Sequence, residues 1–155
     1  MIKSKHGIKK SIFADNIGID LMVSGDFGEL LLAYYFAKQK LHVIVAKSAG
    51  FDLLVKDPMG KIFKKNKLIG ISVKTRQQNS FSLDLDKDIF KLERAAKVWD
   101  FIPYFCFVTP HEAWVFPLKV ASDRRVRTKV GRVSLSKIKK LKKVKRLHFD
   151  WGIKS

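Results

Sequence analysis

The chain is 155 residues long, 46% hydrophobic, and carries 32 Lys/Arg against 14 Asp/Glu, a formal net charge of +18. That length fits one compact domain with a sizeable core, and so large a positive excess, which costs stability through self-repulsion, points to a polyanionic partner. Cys106 stands alone, which excludes an internal disulfide framework and fits a reducing compartment, and no apolar run reaches the ~18 residues of a membrane span.

Met1-Ile2-Lys3 opens no signal-peptide pattern, so a soluble protein of the cytoplasm with no membrane role is expected. Residues 1–23, with Lys3, Lys5, Lys9 and Lys10, read as a basic N-terminal arm. Residues 24–118 read as a nearly balanced core domain. Residues 119–155 hold fourteen Lys/Arg and two Asp/Glu and read as a basic C-terminal extension.

In chain order, Ser24-Gly25-Asp26 suits a helix start, and Phe27, Leu30, Leu31, Tyr34 and Ala37 carry the helix to about Gln39-Lys40. His42 to Ala46 is β-branched and strand-like. A turn at Ser48-Ala49-Gly50 leads to a second strand, Phe51 to Lys56. Asp57-Pro58-Met59-Gly60 and the lysines after it form a polar loop, and Leu68 to Arg76 is a third strand. Asp84 or Asp86 caps a second helix with Ile89, Leu92, Ala96 and Trp99 at helical spacing. Pro103 to Val108 and Ala113 to Phe116 close a hairpin across Thr109-Pro110-His111-Glu112. Cys106, within Tyr104-Phe105-Cys106-Phe107, reads as a buried small apolar residue rather than a nucleophile. The order α-β-β-β-α-β-β implies an α/β fold, a mixed central sheet flanked by helices.

Three side chains carry chemistry. Glu29 is the only charge between Asp26 and Lys38, in a helix apolar on most sides, and Glu is rarely buried without a purpose. Folding the second strand onto the third around a loop centred near Ile62-Phe63 sets Asp52 opposite Val73, with Ser72 and Lys74 as neighbours. Strand alternation then gives Ile69, Ile71 and Val73 one apolar face, and Gly70, Ser72 and Lys74 the other. A structural ion pair between Lys74 and Asp52 is one reading. The other is phosphodiester hydrolysis, in which carboxylates hold a hard divalent cation and an ammonium positions the water or the phosphate.

Glu29, then Gly50-Phe51-Asp52, then Ile71-Ser72-Val73-Lys74 resemble the PD-(D/E)xK nuclease superfamily, and within it the archaeal Holliday-junction resolvases. That family's Gly-x-x-x-Glu helix, Ser-Gly-x-Asp turn and Glu-Val-Lys-Ser/Thr-Arg strand are matched here by Gly25 to Glu29, Ser48 to Asp52 and Ser72-Val73-Lys74-Thr75-Arg76. Phe81-Ser82-Leu83, the Ala95-Ala96 helix and Ile102 to Val108 also look alike. The resemblance implies a restriction-endonuclease-like core. It implies Mg²⁺ (or Mn²⁺) held by Glu29, Asp52 and the Val73 carbonyl, and Lys74 as the catalytic lysine. It implies a homodimer acting on branched or junction DNA. The family's second acid is Ser72 here, a shorter ligand that reaches a metal only through water. Some relatives with Gln at that place remain active, and Asp26, one turn before Glu29, is a replacement candidate or simply an acid at a helix start.

In the extension, Arg125, Arg127 and Lys129 alternate with Val126, Thr128 and Val130 as a strand with a cationic face would. A helix from Ser134 or Ser136 then places Ile138, Leu141 and Val144 in a narrow apolar stripe amid lysines. Arg124, Arg125, Arg127, Lys129, Arg132, Lys139, Lys140, Lys142 and Lys143, with Lys47, Ser48 and Arg76 beside the core motifs, are the candidate nucleic-acid contacts. His6, His42, His111 and His148 lack metal-ligand spacing. Two functions stand: a metal-dependent endonuclease on structured DNA, and a nuclease-fold protein that binds DNA or RNA without efficient cutting. An RNA- or ribosome-associated basic protein is a more distant third.

Overall fold

The computed structural model describes residues 26–48, 50–75, 85–129 and 132–150. The N-terminal arm, Ser24-Gly25, Arg76, Phe81-Ser82-Leu83 and Asp84 lie outside these. Helix α1 is Asp26–Lys38, followed by strands β1 (His42–Ser48), β2 (Phe51–Lys56) and β3 (Leu68–Thr75). A π-helical turn, Leu85–Ile89, runs into α2, Phe90–Trp99. Strands β4 (Ile102–Val108) and β5 (Glu112–Pro117), the short α3 (Leu118–Ala121), a 3-10 turn at Arg124–Val126, α4 (Leu135–Ile138) and β6 (Lys145–His148) complete the order.

The six strands form one mixed sheet in the order β1-β2-β3-β4-β5-β6. Among the described strands only β3 and β4 pair in parallel. A parallel pair needs a long crossover, and the segment holding α2 supplies it. Central strands buried on both faces read as continuous apolar runs, which is the character of Ile69 to Val73, Phe105 to Val108 and Ala113 to Phe116. On one face α1 packs Leu31, Leu32 and Phe36 with Leu53, Val55, Ile69, Ile71, Val73, Cys106 and Val115. On the other, Leu92 and Ala95 of α2 pack with Phe101, Phe105, Phe107, Trp114 and Phe116. Among the described residues no helix is long and apolar enough to cross a membrane.

Both main helices end on left-handed residues. Lys40, at φ 67°, lets Leu41 N–H reach the Phe36 carbonyl, and Asp100, at φ 53°, lets Phe101 N–H reach that of Ala96. This is Schellman geometry, and it drives Leu41 and Phe101 into the core.

The segment after Leu118 differs from the expectation of a separate extension. β6 pairs with β5, and Val126, Val133, Leu135, Ile138 and Leu147 are core residues. Among the described residues 125–129 the expected cationic strand does not form. Asp123 accepts the Arg125 N–H, which starts the 3-10 turn, and Arg127 makes only an isolated bridge with Val133. Nor is there a long lysine helix. α4 stops at Ile138, turns follow, and Lys145–His148 adds to the sheet edge. Ile138 and Leu147 are both buried, which no single helical stripe can give.

Candidate active site and basic surface

Two local features bring the expected residues to one end of the sheet. In α1, a Cβ on Gly28 would lie 2.1 Å from Thr75 Oγ1, so only glycine lets the helix approach the end of β3 this closely. Glu29, the next residue, is half-buried there, with its Oε2 out of solvent. Gly50, at φ 101°, passes so close to α2 that a Cβ would meet the Lys91 carbonyl at 2.7 Å. The turn it makes delivers Phe51 against the rings of Trp99 and Phe101, and delivers Asp52 beside β3.

The Asp52 carboxylate accepts a hydrogen bond from Val73 N–H, with Oδ2 2.7 Å from the nitrogen. The β2–β3 ladder runs from Lys56↔Leu68 to Leu53↔Ile71. That register sets Asp52 level with Ser72, one residue from the expected position opposite Val73. The observed register centres the loop on Ile62 itself, and not between Ile62 and Phe63; the loop is organised on Asp57, whose carboxylate accepts from Met59, Ile62 and Phe63 N–H. Beyond Leu53 the Asp52 side chain takes the role of a ladder acceptor.

Burial pushes the Asp52 pKa upward, opposed by the Val73 N–H and the nearby charge of Lys74. Lys74, however, does not pair directly with Asp52. Its Nζ lies 2.9 Å from Oδ1 of Asp88, on the π-turn before α2, and both side chains are partly buried. Asp88 was not foreseen, because the fourteen-residue separation from Lys74 leaves no local sequence signal. Ser72 is buried beside Phe105 in the parallel ladder. The face that carries Gly70 and Ser72 is closed: the Phe101 ring fills the place of a Gly70 side chain.

Among the described residues no three His, Cys, Asp or Glu side chains form a metal-holding group. The donor set that the resemblance implies is two carboxylates and a peptide carbonyl, Glu29, Asp52 and Val73. All are oxygen donors of the kind a hard divalent cation takes, and a buried carboxylate whose pKa is raised by desolvation is one that a cation would relieve. Cys106 is fully buried, which pushes its thiol well above its ordinary range and leaves it a core residue. An apolar hollow of about 510 Å³ lined by His42, Ile44, Leu54 and Leu68 lies away from these groups and holds no carboxylate.

No family model matches the sequence, and no curated protein matches it. Among solved structures, the Holliday junction resolvase Hjc of the archaeal hyperthermophile Archaeoglobus fulgidus superposes with a TM-score of 0.54. The match is 16% identical and covers 71% of this chain and 81% of Hjc. The chain has a restriction-endonuclease-like fold. In this fold Asp52, Val73 and Lys74 sit on the two neighbouring strands β2 and β3, and Glu29 on the helix packed across them.

Among the described basic residues, several have partners within the protein and several are exposed. Arg125 binds Asp123 at 2.6 Å and drives its carboxyl down to about 2. Arg127 donates to the Ser122 carbonyl, and the Lys139 ammonium sits 4.3 Å over the Trp114 ring. Lys145 donates to the Ile62 carbonyl and Arg146 pairs with Glu112. Arg124, Lys129, Arg132, Lys140, Lys142 and Lys143 are exposed, as is Lys47, next to Ser48 at the turn before Asp52.

Proposed function

We propose that this chain is a divalent-metal-dependent endonuclease that hydrolyses phosphodiesters in branched or otherwise structured DNA. The observation that carries the reading is the Asp52 carboxylate on Val73 N–H, one residue from Lys74, in a fold shared with a Holliday junction resolvase. In this reading Glu29, Asp52 and the Val73 carbonyl hold Mg²⁺ or Mn²⁺. When bound, the ion supplies Lewis-acid chemistry at the phosphodiester. The Val73 N–H fixes the orientation of Asp52. Lys74 presents its ammonium to the attacking water or the scissile phosphate, and Asp88 sets where that ammonium points. Two copies acting as a symmetric dimer, as the resemblance implies, would cut opposing strands. The test is incubation of four-way junction, duplex, single-stranded DNA and RNA with Mg²⁺, Mn²⁺ or EDTA. The expected result is metal-dependent cutting that favours the junction; binding without cutting in either metal would instead support the binding-only reading.

Asp88 is a positioning residue, so its loss should affect turnover rather than binding. Asp88→Asn is expected to lower kcat about 10- to 100-fold with little change in KM, and Asp88→Glu to restore part of it. Equal effects of both variants on KM would remove the role. Ser72→Glu supplies the acid the family pattern carries, and cleavage is expected to rise about 10-fold, equivalent to ~1.4 kcal/mol of barrier. Because Ser72 is buried, the same variant should melt lower. No gain in rate would show that the missing acid does not limit the reaction.

A further inference from the structure

We infer that a basic cleft between α3 and the turns after α4 is a second phosphate-binding site, which holds the nucleic-acid backbone away from the cutting centre. This rests on the nucleic-acid reading above and gives it a second anchor. The cleft, about 380 Å³, is lined by Lys119, Arg125, Lys140, Lys142 and Lys143, with Asp123, Val120 and Leu141. Asp123 is the one acid in that lining, and Arg125 already neutralises it. The four lysines therefore face the cleft with their charge uncompensated by any acid of its wall. Had residues 137–146 formed the expected helix, these lysines would have been distributed around it. The halt of α4 at Ile138 and the turns at residues 139–144 fold them instead toward Lys119. Concave cationic walls with apolar footing suit phosphate oxygens, and compact ammonium groups without a planar fork read charge and not sequence.

The cleft stands apart from Asp52. Its wall begins at Lys119, just past Pro117, which pairs with Tyr104, and Tyr104 pairs with Ile71. Pro117 is thus two strands from β3 and three residues back from Lys74, roughly 10 Å in each direction from strand geometry. The Lys74 and Pro117 positions are roughly 14 Å apart, the length of roughly four base pairs of B-form duplex at about 3.4 Å per base pair. The chemistry selected is a nucleic-acid backbone rather than a lipid surface, because the lining carries no exposed aromatic side chain to enter a bilayer.

The test is fluorescence anisotropy of a labelled duplex with the full chain, in EDTA so that no cutting intervenes. Lys140→Ala, Lys142→Ala and Lys143→Ala are combined in one variant; all three side chains are exposed, so folding should be kept. The control combines Lys64→Ala, Lys65→Ala and Lys67→Ala, which removes the same charge from an exposed loop elsewhere. The expected result is at least about a 10-fold rise in Kd for the cleft variant. Its slope of log affinity against log salt should also become shallower by roughly 0.9 for each phosphate that the variant no longer neutralises. Equal losses in cleft variant and control, or an unchanged slope, would overturn the site. So would loss of binding to phosphatidylserine vesicles with DNA affinity intact, which would assign the cleft to a lipid surface. Because no metal or cleavage enters the readout, failure of the nuclease reading would leave this result standing, and failure of the cleft would leave cleavage untouched.

Discussion

Asp52→Asn is expected to abolish metal-dependent cleavage, by about a thousandfold or more, while Kd for DNA measured in EDTA stays within about threefold of the unmodified chain. The asymmetry follows from what the carboxylate does. Its charge is the property a divalent cation needs, whereas its shape is what the fold uses, and an amide oxygen still accepts the Val73 N–H. The cost of the charge has a sign. Burial raises the Asp52 pKa in the folded chain. A carboxylate with a raised folded pKa contributes stability below its unfolded pKa and loses it as pH rises through the folded value. Asp52→Asn should therefore melt no lower than the unmodified chain at neutral pH without metal, and its advantage should shrink in acid. A variant that is inactive yet no less stable is the mark of a residue kept for chemistry. Unchanged cleavage would remove Asp52 from the site, and a large fall in melting temperature would make it structural.

Asp57 is the opposite case. Its buried carboxylate accepts the N–H groups of Ile62 at 2.7 Å and Phe63 at 3.0 Å, tying down the loop whose apolar residues lie under α1. Phe63 meets the rings of Phe36 and Tyr104 edge-on, so the loop is part of the core. Burial alone would raise this carboxyl, but the N–H groups of Ile62, Phe63, Lys61 and Gly60 outweigh it and hold the pKa below its ordinary value. Asp57→Ala leaves buried donors without acceptors and is expected to cost about 3–4 kcal/mol. For a chain of this size that corresponds to a fall of about 10 °C in Tm. With a lowered folded pKa, the stabilisation is present above the unfolded carboxylate value near ~3.9 and is lost as pH falls through the folded one. The melting-temperature gap between the unmodified chain and Asp57→Asn should thus narrow in acid. Calorimetry across pH 2–7 checks this, and a gap that widened toward acid would contradict it.

Much of the fold was legible because its central elements announce themselves by period. Ile69 to Val73 and Phe105 to Val108 read as strands from apolar, β-branched and aromatic runs, and the Thr109-Pro110-His111-Glu112 hairpin from its turn residues. β6 was not legible. Ile138, Leu141 and Val144 recur every three residues, which fits a helix and a succession of turns alike, and only pairing of Lys145–His148 with β5 decides between them. That pairing also means that deletion after Leu118 would strip core residues, so the charge of this segment must be probed by substitution. At the candidate site, residue type and spacing bring Asp52, Val73 and Lys74 together, but they give no sign of Asp88, the partner of Lys74. Asp88 reaches Lys74 from the π-turn that precedes α2. Asp57 did carry a local signal, since Asp before Pro favours a turn closed on its own side chain, and Met59 N–H donates to it.

The most direct test of the central claim is the binding of Mn²⁺ itself, followed by electron paramagnetic resonance, because it needs no choice of substrate. The unmodified chain is expected to bind the ion, and Asp52→Asn and Glu29→Gln to lose it, with Lys140→Ala unchanged. Equal Mn²⁺ binding by the unmodified chain and Asp52→Asn would place the metal elsewhere and contradict the site.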